Sequence, residues 1–139
     1  VSRKTKILEK ISKELGLDSR MLIVNERVEI TAHKSNFRRE FDIGMARAVA
    51  NAPIVAEYLI PFLNSQGEAL IYRGKWSQSN NKELSRALET LNASINEIMH
   101  IELPDKRGER HVIRVRANKA CSKIYPRSVG TPTKKPLGS

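Results

Sequence analysis

Apolar and polar positions along the chain follow two different periods. In residues 3 to 15, Ile7, Leu8, Ile11 and Leu15 recur at helical spacing and Gly16 follows as a stop. That pattern predicts a helix, with Ser2 placed to cap it. "MLIVN" (21 to 25) is a short continuous apolar run, which suits a strand buried on both faces. Residues 31 to 39 are polar and read as a short helix. "FDIGMA" (41 to 46) reads as a second strand. "NAPIVAEYLIPFL" (51 to 63) reads as a helix with Asn51 as cap and Pro53 in its first turn, which Pro61 should end early. "EALIYRG" (68 to 74), entered through a turn at Gly67, reads as a third strand. Residues 80 to 93 read as a helix with Leu84, Ala87, Leu88 and Leu91 on one face.

The rhythm then changes to period two. "IMHIEL" (98 to 103) and "HVIRVRA" (111 to 117) alternate apolar and polar residues around the turn segment "PDKRGE". No helix lies between these runs, so they should pair as antiparallel strands at one edge of a mostly parallel sheet. The whole order predicts an α/β fold with a doubly wound sheet. It is also incomplete, because the first helix has no strand before it.

Charge sharpens the picture. The chain has 139 residues and a net charge of +10, from 25 Lys/Arg and 15 Asp/Glu. Beyond residue 105 there are ten Lys/Arg and a single acid, Glu109. Such asymmetry fits either a polyanion partner, most often nucleic acid, or a solvated basic tail. The chain divides accordingly into residues 1–118, a domain, and residues 119–139, a basic tail rich in Pro and Gly. Cys121 is the one cysteine, so an internal disulfide is excluded. No secretory signal or membrane-spanning run is visible, and a cytoplasmic protein without membrane contact is the expectation.

The candidate chemistry is sparse. His33, His100 and His111 have no spacing to a nucleophile that would support a triad, and Cys121 alone makes no metal cluster. "GMARAVA" and "GTPTKK" lack the spacing of phosphate-binding loops.

Four stretches carry a resemblance. "RKTKILEKISKELGL" with "NERVE", "FDIGMARAVA", "EYLIPFLNSQGEALIYRGK" and "YPRSVGTPTKKPL" together resemble the bacterial glucose-inhibited division protein B family. These are methyltransferases of small-subunit (16S) ribosomal RNA. The resemblance spans nearly the whole chain and implies the class I S-adenosylmethionine-dependent methyltransferase fold, which is Rossmann-like and carries a reversed hairpin strand at its far edge. The family's Gly-rich cofactor loop has no counterpart here and is expected upstream of Val1. The chain is therefore expected to begin just after the fold's second strand and, alone, to fold poorly and lack activity.

The resemblance implies transfer of a methyl group from S-adenosylmethionine to N7 of a guanosine. N7 has a free lone pair and no proton to lose, so no catalytic base is expected; alignment and a dry pocket are needed instead. It also implies roles. Val1, Val28, Glu29 and Arg47 are expected at the cofactor, with Met45-Ala46 standing where the family has other residues before its arginine. Arg73 and Lys75 beside Gly74, Arg114 and Arg116 on one strand face, and Tyr125, Arg127, Lys134 and Lys135 of the tail are expected to bind RNA. The tail is expected to pack across the ligand edge of the sheet. The partner would be 16S ribosomal RNA or the small ribosomal subunit, and a monomer is expected. The rival reading is a non-catalytic RNA-binding module, which would need no cofactor loop.

Overall fold

The computed structural model describes residues 2–139; the expectation for Val1 lies outside them. In chain order the elements are α1 (Ser2–Glu14), α2 (Val28–Thr31), β1 (Phe41–Arg47), α3 (Ala52–Leu59), a 3-10 turn (Ile60–Phe62), β2 (Leu63–Arg73), α4 (Gln78–Thr90), β3 (Ala93–Glu102), β4 (Glu109–Ala117) and α5 (Thr131–Lys134). Four strands form one sheet in the order β1-β2-β4-β3. β1 and β2 are parallel, joined through α3, whereas β4 runs antiparallel to both β2 and β3. This is the mixed α/β arrangement of a Rossmann-like methyltransferase sheet, with the reversed strand lodged between β2 and the edge strand β3.

Local sequence explains the joints. Gly16 has φ +65° and ends the first helical segment. α3 carries a proline in its first turn, and Pro61 turns its continuation into the 3-10 segment. Ser77 and Asn80 close a capping box at the start of α4. Gly67 lies inside β2 rather than in a turn before it, where the register slips between Phe41 and Ile43. A Cβ at Gly67 would sit 2.7 Å from the Phe41 carbonyl oxygen, so only glycine fits.

Several elements differ from the sequence reading: β2 and β3 begin five residues early, at Leu63 and Ala93, and α4 runs from Gln78 to Thr90. Residues 21–25 form no strand, and Leu22 and Val24 are exposed. A continuous apolar run becomes a strand only where neighbours offer backbone partners, and among the described residues none lies alongside. The short helix expected in the polar stretch comes earlier, at Val28–Thr31, followed by turns.

The core lies on one sheet face. Ala52, Val55 and Ala56 of α3 and Leu84 and Leu88 of α4 pack on Ala69, Ile71, Ile113 and Val115. The opposite face leaves Ile43, Met45, Tyr72 and Met99 exposed, and the Ile7, Leu8, Ile11, Leu15 stripe of α1 is exposed as well. A doubly wound sheet covers both faces, so these residues form an uncovered apolar surface.

Candidate active site and nucleic-acid interface

The site is framed by the C-terminal segment, which is folded against the domain. Tyr125 is 9% exposed and belongs to the core cluster, and Pro126 is fully buried. Arg38 donates to the carbonyls of Tyr125 (2.7 Å) and Ser122 (3.0 Å), and His33 Nε2 donates to the Pro126 carbonyl at 2.8 Å. Arg127 then meets Glu57 of α3. Its backbone N–H and Nε each lie 2.9 Å from Oε1, and a terminal nitrogen lies 2.7 Å from Oε2. The Glu57 side chain is fully buried and that of Arg127 is 24% exposed. The fork of the guanidinium matches both carboxylate oxygens. Glu57 holds the Arg127 pKa above its ordinary value.

One turn later, Gly130 takes φ +80° and its N–H donates to Glu29 Oε1 at 3.2 Å. The Glu29 side chain is 1% exposed. The same oxygen accepts from Arg27 (3.2 Å) and from the Tyr58 hydroxyl (3.4 Å), which also meets Thr133. Burial pushes the Glu29 carboxyl up. Hydrogen bonds from its own backbone and from Gly130, with Arg27 beside it, outweigh burial and hold the pKa below its ordinary value.

Two hollows open above the carboxyl ends of the parallel strands, where open α/β sheets bind ligands. One, of about 450 Å³, is lined by Arg47, Ala48, Tyr72, Arg73, Gly74, Leu103 and Arg110. Three guanidinium groups make it cationic. The other, of about 380 Å³, is lined by Glu26, Arg27, Val28, Glu29, Val49, Ala50, Tyr58 and Thr133. The segment from Arg47 to Ala50 thus serves both hollows, and Arg73 fixes it by donating to the Ala50 carbonyl at 2.7 Å.

The expected site residues divide between these places. Val28 and Glu29 border the second hollow. The Glu29 carboxylate also faces the tail, where its Oε1 accepts from the Gly130 N–H. Arg47 borders the cationic hollow. It has no side-chain hydrogen bond or ion pair among the described residues, and in particular none to Asp42, which bonds Asn64. Arg73 lines the same hollow. Lys75 is exposed just beyond it, beside Glu102, Leu103 and Lys106.

Arg114 and Arg116 do share a strand face. Arg114 is bound by Glu68 (2.7 Å) and Glu97 (2.6 Å), and Arg116 by Gln66 (2.8 Å), which leaves that stripe occupied by the sheet's own acids and amide. Tyr125, one of the residues expected at the RNA, has its ring buried in the core cluster and anchors the tail to the domain. Arg127, also expected at the RNA, gives its donors to Glu57 and to the Lys135 carbonyl at 2.7 Å. Lys134 and Lys135 are exposed at the end of α5.

Sequence reasoning missed Glu57, Arg38 and Arg110. A lone acid inside the apolar helix "APIVAEYL" was the one available signal for Glu57. Burial pushes the Cys121 thiol pKa up, partly opposed by Arg38, which suits a packing residue better than a nucleophile. The register of β3 on β4 sets His100 opposite His111, with Glu109 beside them. Spacing along the chain could not show that grouping.

Comparison with known proteins adds to this geometry. The family model described as GidB, rRNA small subunit methyltransferase G, matches residues 1–118. The ribosomal RNA small subunit methyltransferase G of one Prochlorococcus marinus strain is 50% identical over 137 residues, covering 99% of this chain and 55% of that protein. The protein of the same name from a Synechococcus species is 46% identical over 139 residues, covering 57% of its length. That from Parasynechococcus marenigrum is 44% identical over 138 residues. The chain spans about half the length of the curated relatives it matches.

Proposed function

The chain belongs to the GidB family of small-subunit ribosomal RNA methyltransferases, and on that premise we propose that the protein transfers a methyl group from S-adenosylmethionine to guanine N7 in that RNA. The observation that carries the reading is the pair of hollows served by residues 47 to 50. One is cationic and suits an RNA phosphate or guanine edge; the other is walled by Val28, Val49, Ala50 and Tyr58 and suits the apolar face of an adenosine.

The second hollow fits the adenosine end of the methyl donor. Val28 and Ala50 offer apolar walls, and Glu26 and Arg27 offer polar groups at the rim. When bound there, S-adenosylmethionine supplies an electrophilic methyl group. The chain's own residues do the rest. Arg47, without a side-chain partner among the described residues, holds the incoming nucleotide at the wall between the hollows. Arg73 keeps that wall in place through the Ala50 carbonyl. Thr133 and Tyr58 close the donor side, so the docked tail shapes the donor hollow while Lys134 and Lys135 remain free for the RNA backbone. N7 has no proton to lose, so the site needs orientation and exclusion of water rather than a base.

Kinetics of Arg47→Ala in the natural full-length protein test this assignment. A charge-assisted contact of about 1.5–3 kcal/mol corresponds to a loss of roughly 10- to 100-fold in kcat/KM for RNA, with donor affinity nearly unchanged. An equal fall in donor affinity with RNA kinetics intact would move Arg47 to the donor. No methyl transfer by the unaltered protein would favour the non-catalytic RNA-binding reading.

A further inference from the structure

We infer that His100, Glu109 and His111 form a binding site for a divalent transition ion of the zinc class at the end of the β3–β4 hairpin. The three residues come from two strands. His100 and His111 are direct cross-strand partners, and Glu109 is two residues from His111, on the same side of β4. The two imidazole rings lie 4.8 Å apart between centroids. His100 Nε2 is 3.2 Å from Glu109 Oε2, and one donor atom from each residue lies within 4.8 Å of the others. Around a tetrahedral zinc ion, with bonds of about 2.0–2.1 Å, neighbouring donor atoms stand roughly 3.3 Å apart. The His100–Glu109 edge already has that length, and the His111 donor completes a trio within 4.8 Å.

The tautomer of His111 is set from outside the trio. Its Nδ1 lies 2.7 Å from the Gly74 carbonyl oxygen, which can only accept, so Nδ1 carries the proton. The lone pair is then on Nε2, and the ring is buried and held in place. A carbonyl behind a histidine is the usual partner of a metal-bound imidazole, because it orients the ring and raises its basicity. Two imidazoles and one carboxylate select zinc and its neighbours over magnesium or calcium, which take oxygen donors. Three protein ligands leave a fourth position for water or a ligand atom.

The position also has a consequence. Gly74 lines the cationic hollow with Arg47, Arg73 and Arg110. An ion on His111 would be coupled through the 2.7 Å hydrogen bond to the turn after β2. It would stiffen that wall and add positive charge beside Lys75. This inference does not depend on the methyl-transfer reading, since the ligands lie outside both hollows.

The test is calorimetric titration of the chelator-stripped full-length protein with zinc chloride alone, against His100→Gln, Glu109→Gln and Cys121→Ser. Both ligand side chains are partly solvent-exposed, so their replacement should leave the fold intact. One saturable equivalent with micromolar or tighter Kd is expected. Each ligand variant should weaken it at least about 10-fold, and Cys121→Ser should leave it within about twofold. Zinc should also slow hydrogen exchange of the Lys75 and Trp76 amides. Absence of saturable uptake at about 100 µM, or uptake unchanged in both ligand variants, would overturn the site.

Discussion

Removing the Arg127 side chain should release the C-terminal segment. In the structure Arg127 gives Glu57 a bidentate guanidinium and a backbone N–H, and gives the Lys135 carbonyl one further donor. Arg127→Ala removes the charge but leaves the fully buried Glu57 carboxylate with a single backbone donor. Stranding one half of a buried ion pair costs about 3–5 kcal/mol. Arg127 keeps partial contact with water, so the lower end of that range, about 3 kcal/mol, applies. Glu57→Gln should cost less, because the stranded partner is then the one that reaches solvent. The assay is native-state hydrogen exchange of the Arg127, Gly130 and Lys134 amides in the full-length protein, with urea denaturation beside it. About 3 kcal/mol corresponds to a loss of protection of roughly 100-fold or more. Lys135→Ala, which removes an exposed side chain, should change protection by less than about twofold, in line with the small effects of surface substitutions. If Arg127→Ala leaves those amides protected and the urea midpoint unmoved, the pairing does not hold the segment and the reasoning fails.

Three further outcomes are expected. Gly67→Ala should lower stability by about 1–3 kcal/mol, because its Cβ would press on the Phe41 carbonyl; an unchanged urea midpoint would show that β1 and β2 can separate there freely. Glu29 has a folded pKa below its ordinary value of about 4.3. Its contribution is therefore present above that value and lost as pH falls through the folded pKa. Exchange of the Gly130 amide should accelerate below about pH 4 more in the unaltered protein than in Glu29→Gln, and parallel profiles would refute this. The isolated 139-residue chain should associate or bind an apolar dye, given Ile43, Met45 and the α1 stripe in solvent; a sharp two-state transition as a monomer would count against it.

Much of the fold was readable where a local rule and the tertiary structure agree. Pro61 shortens α3, Gly16 ends the first helix, and period two marks β3 and β4. The reading failed where partners decide. "MLIVN" has strand composition but no neighbouring strand among the described residues. β2 begins at Leu63, five residues before the expected start, because pairing with β1 outweighs the turn preference of Gly67. Site residues divide in the same way. Arg47 and Arg73 follow from their position at strand ends, which topology fixes. The partners of Glu57 and Arg38 lie far along the chain, and the register that sets His100 opposite His111 was not fixed by the hairpin pattern alone. The cationic stretch after residue 105 suggested RNA for Arg114, Arg116, Arg127, Lys134 and Lys135. The structure gives Arg114, Arg116 and Arg127 to the protein's own groups, while Arg47, Arg73 and Arg110 line the hollow.

The most direct measurement is nucleoside analysis by mass spectrometry. Small-subunit RNA would be incubated with the natural full-length protein and S-adenosylmethionine, then digested to nucleosides. The account predicts 7-methylguanosine, formed by the unaltered protein and reduced roughly 10- to 100-fold in rate by Arg47→Ala. RNA that returns unmethylated, or carries its new methyl group on an atom other than guanine N7, would contradict it.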